Sequence, residues 1–373
     1  MVFVLVALVT AVFSWVIGFF VRRLAPALDA VDHPTVGRKI HTRPIPLLGG
    51  VAPFLATALV LIAYALFSGQ IGLPTLTDTH IATKHIIGVA IAALVLIVGG
   101  FFDDRYSLKP WQQLIAPFVA IGIVIASGIG VSELSHPFGG PPIKLETSNI
   151  LLFWWNGLPR YFTLWSDVIT ILWLLGMMYT TKLLDGLDGL VSGMTVIGSL
   201  TIGLLSILFF VNIPTALLAF VVAGAFFGFL PHNMHPAKIF LGEGGSLLAG
   251  FLLGVLSIMS GAKFATALLV LGIPILDAVW VILRRVCIEK RSPFVGDRGH
   301  LHYRLLDAGL SHRAAVFLLL AIASTFGSAA LFLQTQQKLL ALGVLAILMI
   351  ILVSVLIKNE QRSMGERDPF TRT

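Results

Sequence analysis

The chain has 373 residues, 57% of them hydrophobic and 12% charged, with a mean hydropathy of +0.95. Soluble domains hold about 25% charged and roughly 45–50% apolar residues, so an ordinary cytosolic globule, a disordered tail and a soluble nucleic-acid binder are excluded. The lone cysteine, Cys287, excludes a disulfide scaffold and a Cys-based metal site; the pI near 9.7 belongs to the basic loops of a polytopic membrane protein, not to a nucleic-acid partner.

Met1–Val21 carries no charged side chain and is followed by Arg22 and Arg23. A cleaved leader has the reverse order, positive charge first and small residues after, so a retained first helix with its N-terminus outside is expected. Bilayer-length apolar runs then recur to the end of the chain. The approximate spans are 2–21, 46–67, 84–102, 112–130, 166–184, 191–211, 214–231, 245–260, 263–283, 314–333 and 338–357. The expectation is an all-α polytopic membrane protein of about eleven helices, forming one integral-membrane domain over 1–373. Val211–Pro214, Ser260–Lys263 and Gln334–Gln337 read as tight hairpins, because Pro and Gly break helices and short loops force antiparallel neighbours. The stretch 132–165 reads as the longest external loop, with Trp154, Trp155 and Trp165 at the interface.

The basic residues set the orientation. Only Lys84, Lys144, Arg160, Lys263 and Lys338 fall on the outer side, and the other Lys and Arg residues, roughly twenty, fall inside. The loops near 22–45, 103–111, 185–190, 232–245 and 284–313 are then cytoplasmic, as is the C-terminus.

Ionisable groups at membrane depth are costly, roughly 2.5–3.5 kcal/mol each on insertion scales, and are candidates for function. Asp103 and Asp104 end the third run, Asp185 and Asp188 follow the fifth, Glu243 opens the eighth, and Asp277 lies within the ninth. By the same parity all lie near the cytoplasmic face, as do His300 and His302. Adjacent acids at 103–104 repel each other and suit Mg²⁺, a cationic partner or proton transfer; a solvated loop end is the competing reading. Asp185 and Asp188 share a face if helical, and their glycines allow a tight turn. The Gly-rich loop 239–246 leads into a helix whose free N–H groups suit phosphate and whose adjacent carboxylate suits a metal, although it matches neither a P-loop nor a dinucleotide fingerprint. His300 and His302 with Arg298 and Arg304 form a basic patch suited to pyrophosphate, with a metal or lipid head groups as alternatives and zinc disfavoured without nearby Cys ligands. Asp277 reads equally as a catalytic acid or as half of a packing pair. His232 and His235 flank a cytoplasmic loop and read either as ordinary histidines or as contacts to ligand.

Together these segments resemble the polyprenyl-phosphate N-acetylhexosamine-1-phosphate transferases, from about residue 30 to 315 and in the family's order. Asp32-His33-Pro34 with Arg38, His41, Arg43 and Gly49-Gly50 is similar to the first cytoplasmic loop. Asp103-Asp104 with Leu108, Pro110 and Gln113 resembles the paired-aspartate motif, and Asp185-Gly186-Leu187-Asp188-Gly189-Leu190 the most specific one. Pro236 to Gly242, Pro274 to Asp277, and Asp297 to His302 complete the set. The GlcNAc branch is the better match, related to the phospho-N-acetylmuramoyl-pentapeptide transferases. Three positions depart from the family pattern: Lys182 stands for a metal-ligating Asn, Glu243 for an Asp, and Tyr303 for a His. Lys182 could neutralise pyrophosphate, repel a metal ion or pair with Glu243.

The resemblance implies transfer of a sugar-1-phosphate, most simply GlcNAc-1-phosphate, from a UDP-sugar to undecaprenyl or another polyprenyl phosphate, releasing UMP and starting a cell-envelope polysaccharide. Asp103, Asp104 and Asp185 would be catalytic, and Glu243 with Asp185 would hold Mg²⁺, with Mn²⁺ as the alternative. Arg43, Lys182, Asp188, Arg298, His300 and His302 would bind substrate. A plasma-membrane location, a cytoplasmic-face site and a homodimer are also implied. Rival readings are a family member that binds lipid carrier or nucleotide without turnover, and a transporter, which broken helices with midplane acids would favour. A CDP-alcohol phosphotransferase is disfavoured because Gly189-Leu190-Val191-Ser192 does not continue that signature.

Overall fold

The computed structural model describes residues 1–32, 44–70, 81–134, 136, 140–145, 149–155, 158–209, 211–261, 264–290 and 299–367. Its helices are α1 (Val2–Leu24), α2 (Val51–Phe67), α3 (Thr83–Tyr106), α4 (Pro110–Gln113), α5 (Ile115–Ser127), α6 (Leu164–Leu184), α7 (Leu190–Leu208), α8 (Ile213–Asn233), α9 (Gly242–Met259), α10 (Phe264–Val270), α11 (Gly272–Leu283), α12 (Leu301–Asp307), α13 (His312–Phe332) and α14 (Thr335–Arg367). Among the described residues nine helices are long and apolar enough to cross a membrane, α4 and α5 counting as one, or ten if α10 and α11 form one bent span. With the shorter apolar α2, every expected span is present as helix.

The ninth run differs from the expectation of one straight span. It breaks at Leu271 and bends by 81° between α10 and α11. Pro274 explains the break: it has no N–H for the carbonyl of Val270, and its ring clashes with that carbonyl. In the first turn of a new helix neither problem arises, and α11 accordingly begins at Gly272.

The loop at 132–165 also holds more order than expected. Strand β3 (Glu133–Leu134) pairs with β4 (Ile143–Lys144), and β5 (Asn149–Trp155) with β6 (Leu158–Thr163), both antiparallel. Aromatic and aliphatic runs flank an Asn-Gly dipeptide in the sequence at 156–157, a strong hairpin signal that counting spans overlooks. By the same numbering, β1 (Val31–Asp32) and β2 (Ile45–Pro46) form a ribbon beyond α1.

α8 and α9 are the buried centre, with Phe226, Phe229 and Phe251 fully enclosed. α8 packs on α1 and α7, while α9 packs on α3 and α6. Both are apolar on every side, as core helices are. The outer helices instead expose large apolar side chains such as Phe13 and Trp15 on α1 and Leu340 and Ile350 on α14, the surface that lipid would cover. Glycines let the elements around the start of α9 approach closely. A Cβ on Gly100 would overlap the backbone of Gly244, and one on Gly50 that of Gly245. The C-terminal ends of α3 and α6 thereby meet the N-terminus of α9, and the acids collect there.

Candidate active site

Five of the expected acids, Asp103, Asp104, Asp185, Asp188 and Glu243, line one cavity of about 1350 Å³, together with Lys182. They arrive on four local devices. Asp103 and Asp104 lie in the last turn of α3, which runs a turn beyond its expected end at 102. Asp185 caps α6, Asp188 sits in the turn before α7, and Glu243 lies in the first turn of α9.

The Gly-rich loop is held by backbone pairing with the segment preceding α2. Gly49 and Gly50 donate to the carbonyls of Phe240 and Leu241 at 2.9 and 2.8 Å, and Phe240 donates to Pro46 at 2.9 Å. Gly242 has φ +77°, and a Cβ there would fall 2.7 Å from Asp104 Oδ2, so a side chain is excluded by both conformation and space. The N–H of Glu243 donates to both Asp104 oxygens at 3.2 Å. That start of α9, which the sequence suggested for phosphate, is therefore occupied by Asp104, where the positive end of the helix dipole favours a carboxylate.

Lys182 stands in the midst of these acids. Its Nζ lies 2.9 Å from Glu243 Oε2 and 3.7 Å from Asp103 Oδ2, and donates to Gln113 Oε1 at 3.0 Å. Gln113 in turn donates to Asp103 Oδ1 at 3.1 Å, and the Leu108 N–H donates to the same oxygen at 3.0 Å. Of the three roles open to Lys182 from sequence, the structure displays the pairing with Glu243. The two residues that the resemblance marked as departures, Lys182 and Glu243, are thus in direct contact. Asp185 faces the cavity but is walled by protein, and that enclosure together with the nearby Glu243 and Asp188 carboxylates pushes its carboxyl above the ordinary range.

Among the described residues Asp188 is tethered where Asp185 is not. Its Oδ2 accepts from His235 Nδ1 at 2.8 Å and the Ala237 N–H at 3.1 Å, while its own N–H donates to His312 Nε2 at 2.9 Å. The rings of His235 and His312 stack at 4.0 Å. Ligand atoms of Asp188, His235 and His312 lie within 4.8 Å of one another, but the hydrogen bonds already engage Asp188 Oδ2 and His312 Nε2, so the trio serves as a lock on the turn. Asn233 adds to it, accepting from Gly189 N–H and Ser192 Oγ and donating to Ile239. Asn233 and His312 are not singled out from sequence, and Gln113 only as part of the paired-aspartate motif. Single polar residues that act by bridging two distant loops leave no local pattern.

The histidine pair lies behind the cavity wall rather than on its lining. His300 Nδ1 bonds Asp277 Oδ2 at 2.8 Å, and the Leu301 N–H bonds Asp277 Oδ1 at 2.9 Å. Asp277 therefore anchors the start of α12 and is the packing partner among its two sequence readings. His302 is 2% exposed and lies against Gly186, where a Cβ would strike its imidazole. Burial pushes that imidazole down to about 4, so it is neutral near pH 7 and contributes no charge to the expected basic patch. Neither His300 nor His302 lines the cavity; Tyr303 and His312 do. Arg43 and Arg298 lie outside the described residues.

Comparison with known proteins adds an independent line. The profile of Glycosyl transferase family 4 matches residues 86–261. The chain is 30% identical over 336 residues to the probable undecaprenyl-phosphate N-acetylglucosaminyl 1-phosphate transferase of Bacillus subtilis, covering 88% of this chain and 84% of that one. It is 32% identical over 397 residues to the decaprenyl-phosphate N-acetylglucosaminephosphotransferase of Mycolicibacterium smegmatis, with 98% and 91% covered. Similarity to the undecaprenyl-phosphate alpha-N-acetylglucosaminyl 1-phosphate transferase of Yersinia pestis is 27% over 356 residues, with 90% and 87% covered.

Proposed function

The chain belongs to glycosyl transferase family 4, and from that membership we infer that it transfers N-acetylglucosamine 1-phosphate to a polyprenyl phosphate within the membrane, using the acidic cavity as its site. The observation that carries the site assignment is the convergence of Asp103, Asp104, Asp185 and Glu243 with Lys182 on one cavity, at the meeting point of α3, α6 and α9. Phosphoryl transfer asks little covalent chemistry of a protein and a great deal of positioning and charge control.

The donor in this reading is UDP-GlcNAc. An oxygen of the lipid phosphate attacks the β-phosphorus, the bond to the bridging oxygen breaks, and UMP leaves with that oxygen. Asp188, held by His235 and Ala237, faces the nucleotide. Asp103 and Asp104, fixed by Gln113 and the start of α9, place the lipid phosphate. The carboxylate oxygens of Glu243, Asp185 and Asp104 are hard donors on an open cavity and fit Mg²⁺, which would supply charge neutralisation at the diphosphate. The excess of basic residues on one side supports an orientation with this cavity on the cytoplasmic face, in this reading that of the plasma membrane.

The test is UMP release by the detergent-purified chain with undecaprenyl phosphate and UDP-GlcNAc, with Mg²⁺ or with EDTA. Release that requires both substrates is the expected result. Absence of release with UDP-GlcNAc and with a panel of other UDP-sugars overturns the reading.

A further inference from the structure

Most charges in the cavity have a neighbour that accounts for them, but Lys182 is unusual in having acid partners on two helices. It projects from the last turn of α6, toward Glu243 at the start of α9 and Asp103 at the end of α3. Gln113 Oε1 supplies a third oxygen at 3.0 Å. An ammonium has three N–H donors and no acceptor, and here three oxygens from three helices surround it. Its side chain is only 16% exposed, and the Tyr179 ring lies 5.8 Å from Nζ. Gln113 is itself fixed by its bond to Asp103. The arrangement is a built cation seat that the protein fills with its own side chain.

We propose that Lys182 is the resident cation of the site, bridging Glu243 and Asp103, and that a divalent ion must compete with this ammonium for Glu243. The inference rests on the reading of this cavity as the transfer site and deepens it. Two physical consequences follow from the geometry. In the absence of a divalent ion the acid cluster is already partly neutralised, so the carboxylates can remain close together. When a divalent ion approaches Glu243 it meets this positive charge, and of two outcomes, an ion held off by the ammonium or an Nζ that leaves Glu243, binding requires the second. The length of the Lys side chain makes the second outcome available without moving the helices. Affinity for the ion is thus set by Lys182 as much as by the acids.

The test reads cation binding rather than turnover. Mn²⁺ is titrated into the detergent-purified full chain and the free ion is followed by electron paramagnetic resonance, for wild type, Lys182→Met and Lys182→Arg. Removing the charge is expected to tighten Mn²⁺ binding by about tenfold or more, while the Arg variant, which keeps it, stays within roughly threefold of wild type. Binding that is unchanged or weaker in Lys182→Met, or absent from both wild type and that variant, overturns the proposal. Should Lys182→Met fail to fold, the wild-type chain still decides the matter through reductive methylation of Lys182 read by mass spectrometry. Labelling should rise when Mn²⁺ is bound, because the amine is displaced from Glu243. Labelling that does not change at a Mn²⁺ concentration shown to bind, or failure of the wild type to bind Mn²⁺ at all when the variant cannot be made, overturns it. A chain that behaves as expected here yet releases no UMP would remove the transfer reading and leave the Lys182 result intact.

Discussion

Asp277 and the cavity acids look alike along the chain, each a carboxylate in or beside an apolar span, yet their surroundings differ in kind. Asp277 has both oxygens engaged, by His300 Nδ1 and the Leu301 N–H, and is 6% exposed. Glu243 and Asp185 line an open cavity, and Glu243 meets a cation rather than a neutral donor. A buried acid saturated by protein donors holds structure together, since any loss of a partner strands a polar group. An acid facing a cavity beside other acids has unmet capacity for charge, which substrate or metal can fill.

The largest effect that would sharpen this contrast is expected at Asp104. Asp104→Asn should lower UMP release by the folded fraction by roughly a hundredfold, because it removes charge from the proposed site; near-wild-type turnover would break the contrast from the cavity side. Asp277→Asn tests the other side. The amide can accept from only one of the two donors, so the variant should lose about 1–3 kcal/mol of stability, visible as a lower melting temperature, with the turnover of the folded fraction retained. Normal melting with lost turnover would place Asp277 among the reacting groups.

The neutral His302 gives a pH signature. Its folded value of about 4 lies below the ordinary 6.5, so below 6.5 the unfolded chain takes up a proton that the native site refuses. Stability is therefore present at neutral pH and lost as pH falls toward 4, by about 2 kcal/mol between pH 7 and pH 5. Melting of wild type and His302→Gln across that range checks it: the variant should lack this part of the slope. The smallest effect belongs to the lock on Asp188. His235→Ala leaves the Ala237 N–H bond in place, so UMP release should fall only about threefold, through a higher KM for UDP-GlcNAc. A fall as large as that of Asp104→Asn would make His235 a direct participant.

Hydropathy and charge written along the chain determined the helices, because a bilayer-length apolar segment must satisfy its backbone internally whatever its neighbours are. The same local logic, together with the order of the Asp-Asp, Asp-Gly-Leu-Asp-Gly and histidine segments, marked Asp103, Asp104, Asp185, Asp188 and Glu243 as site candidates. It did not reach the bend at Leu271, although Pro274 announced a break, nor the β5–β6 hairpin. Above all, it could not choose among roles for Lys182, Asp277 and His302. Lys182 and Glu243 are 61 residues apart, and Asp277 is 23 residues from the histidine that occupies it. A charge is defined by what lies within a few ångströms, and only the packing of α3, α6 and α9 through their glycines, and of α11 against the start of α12, decided which acids were saturated, which imidazole was kept neutral and which ammonium stood among the carboxylates.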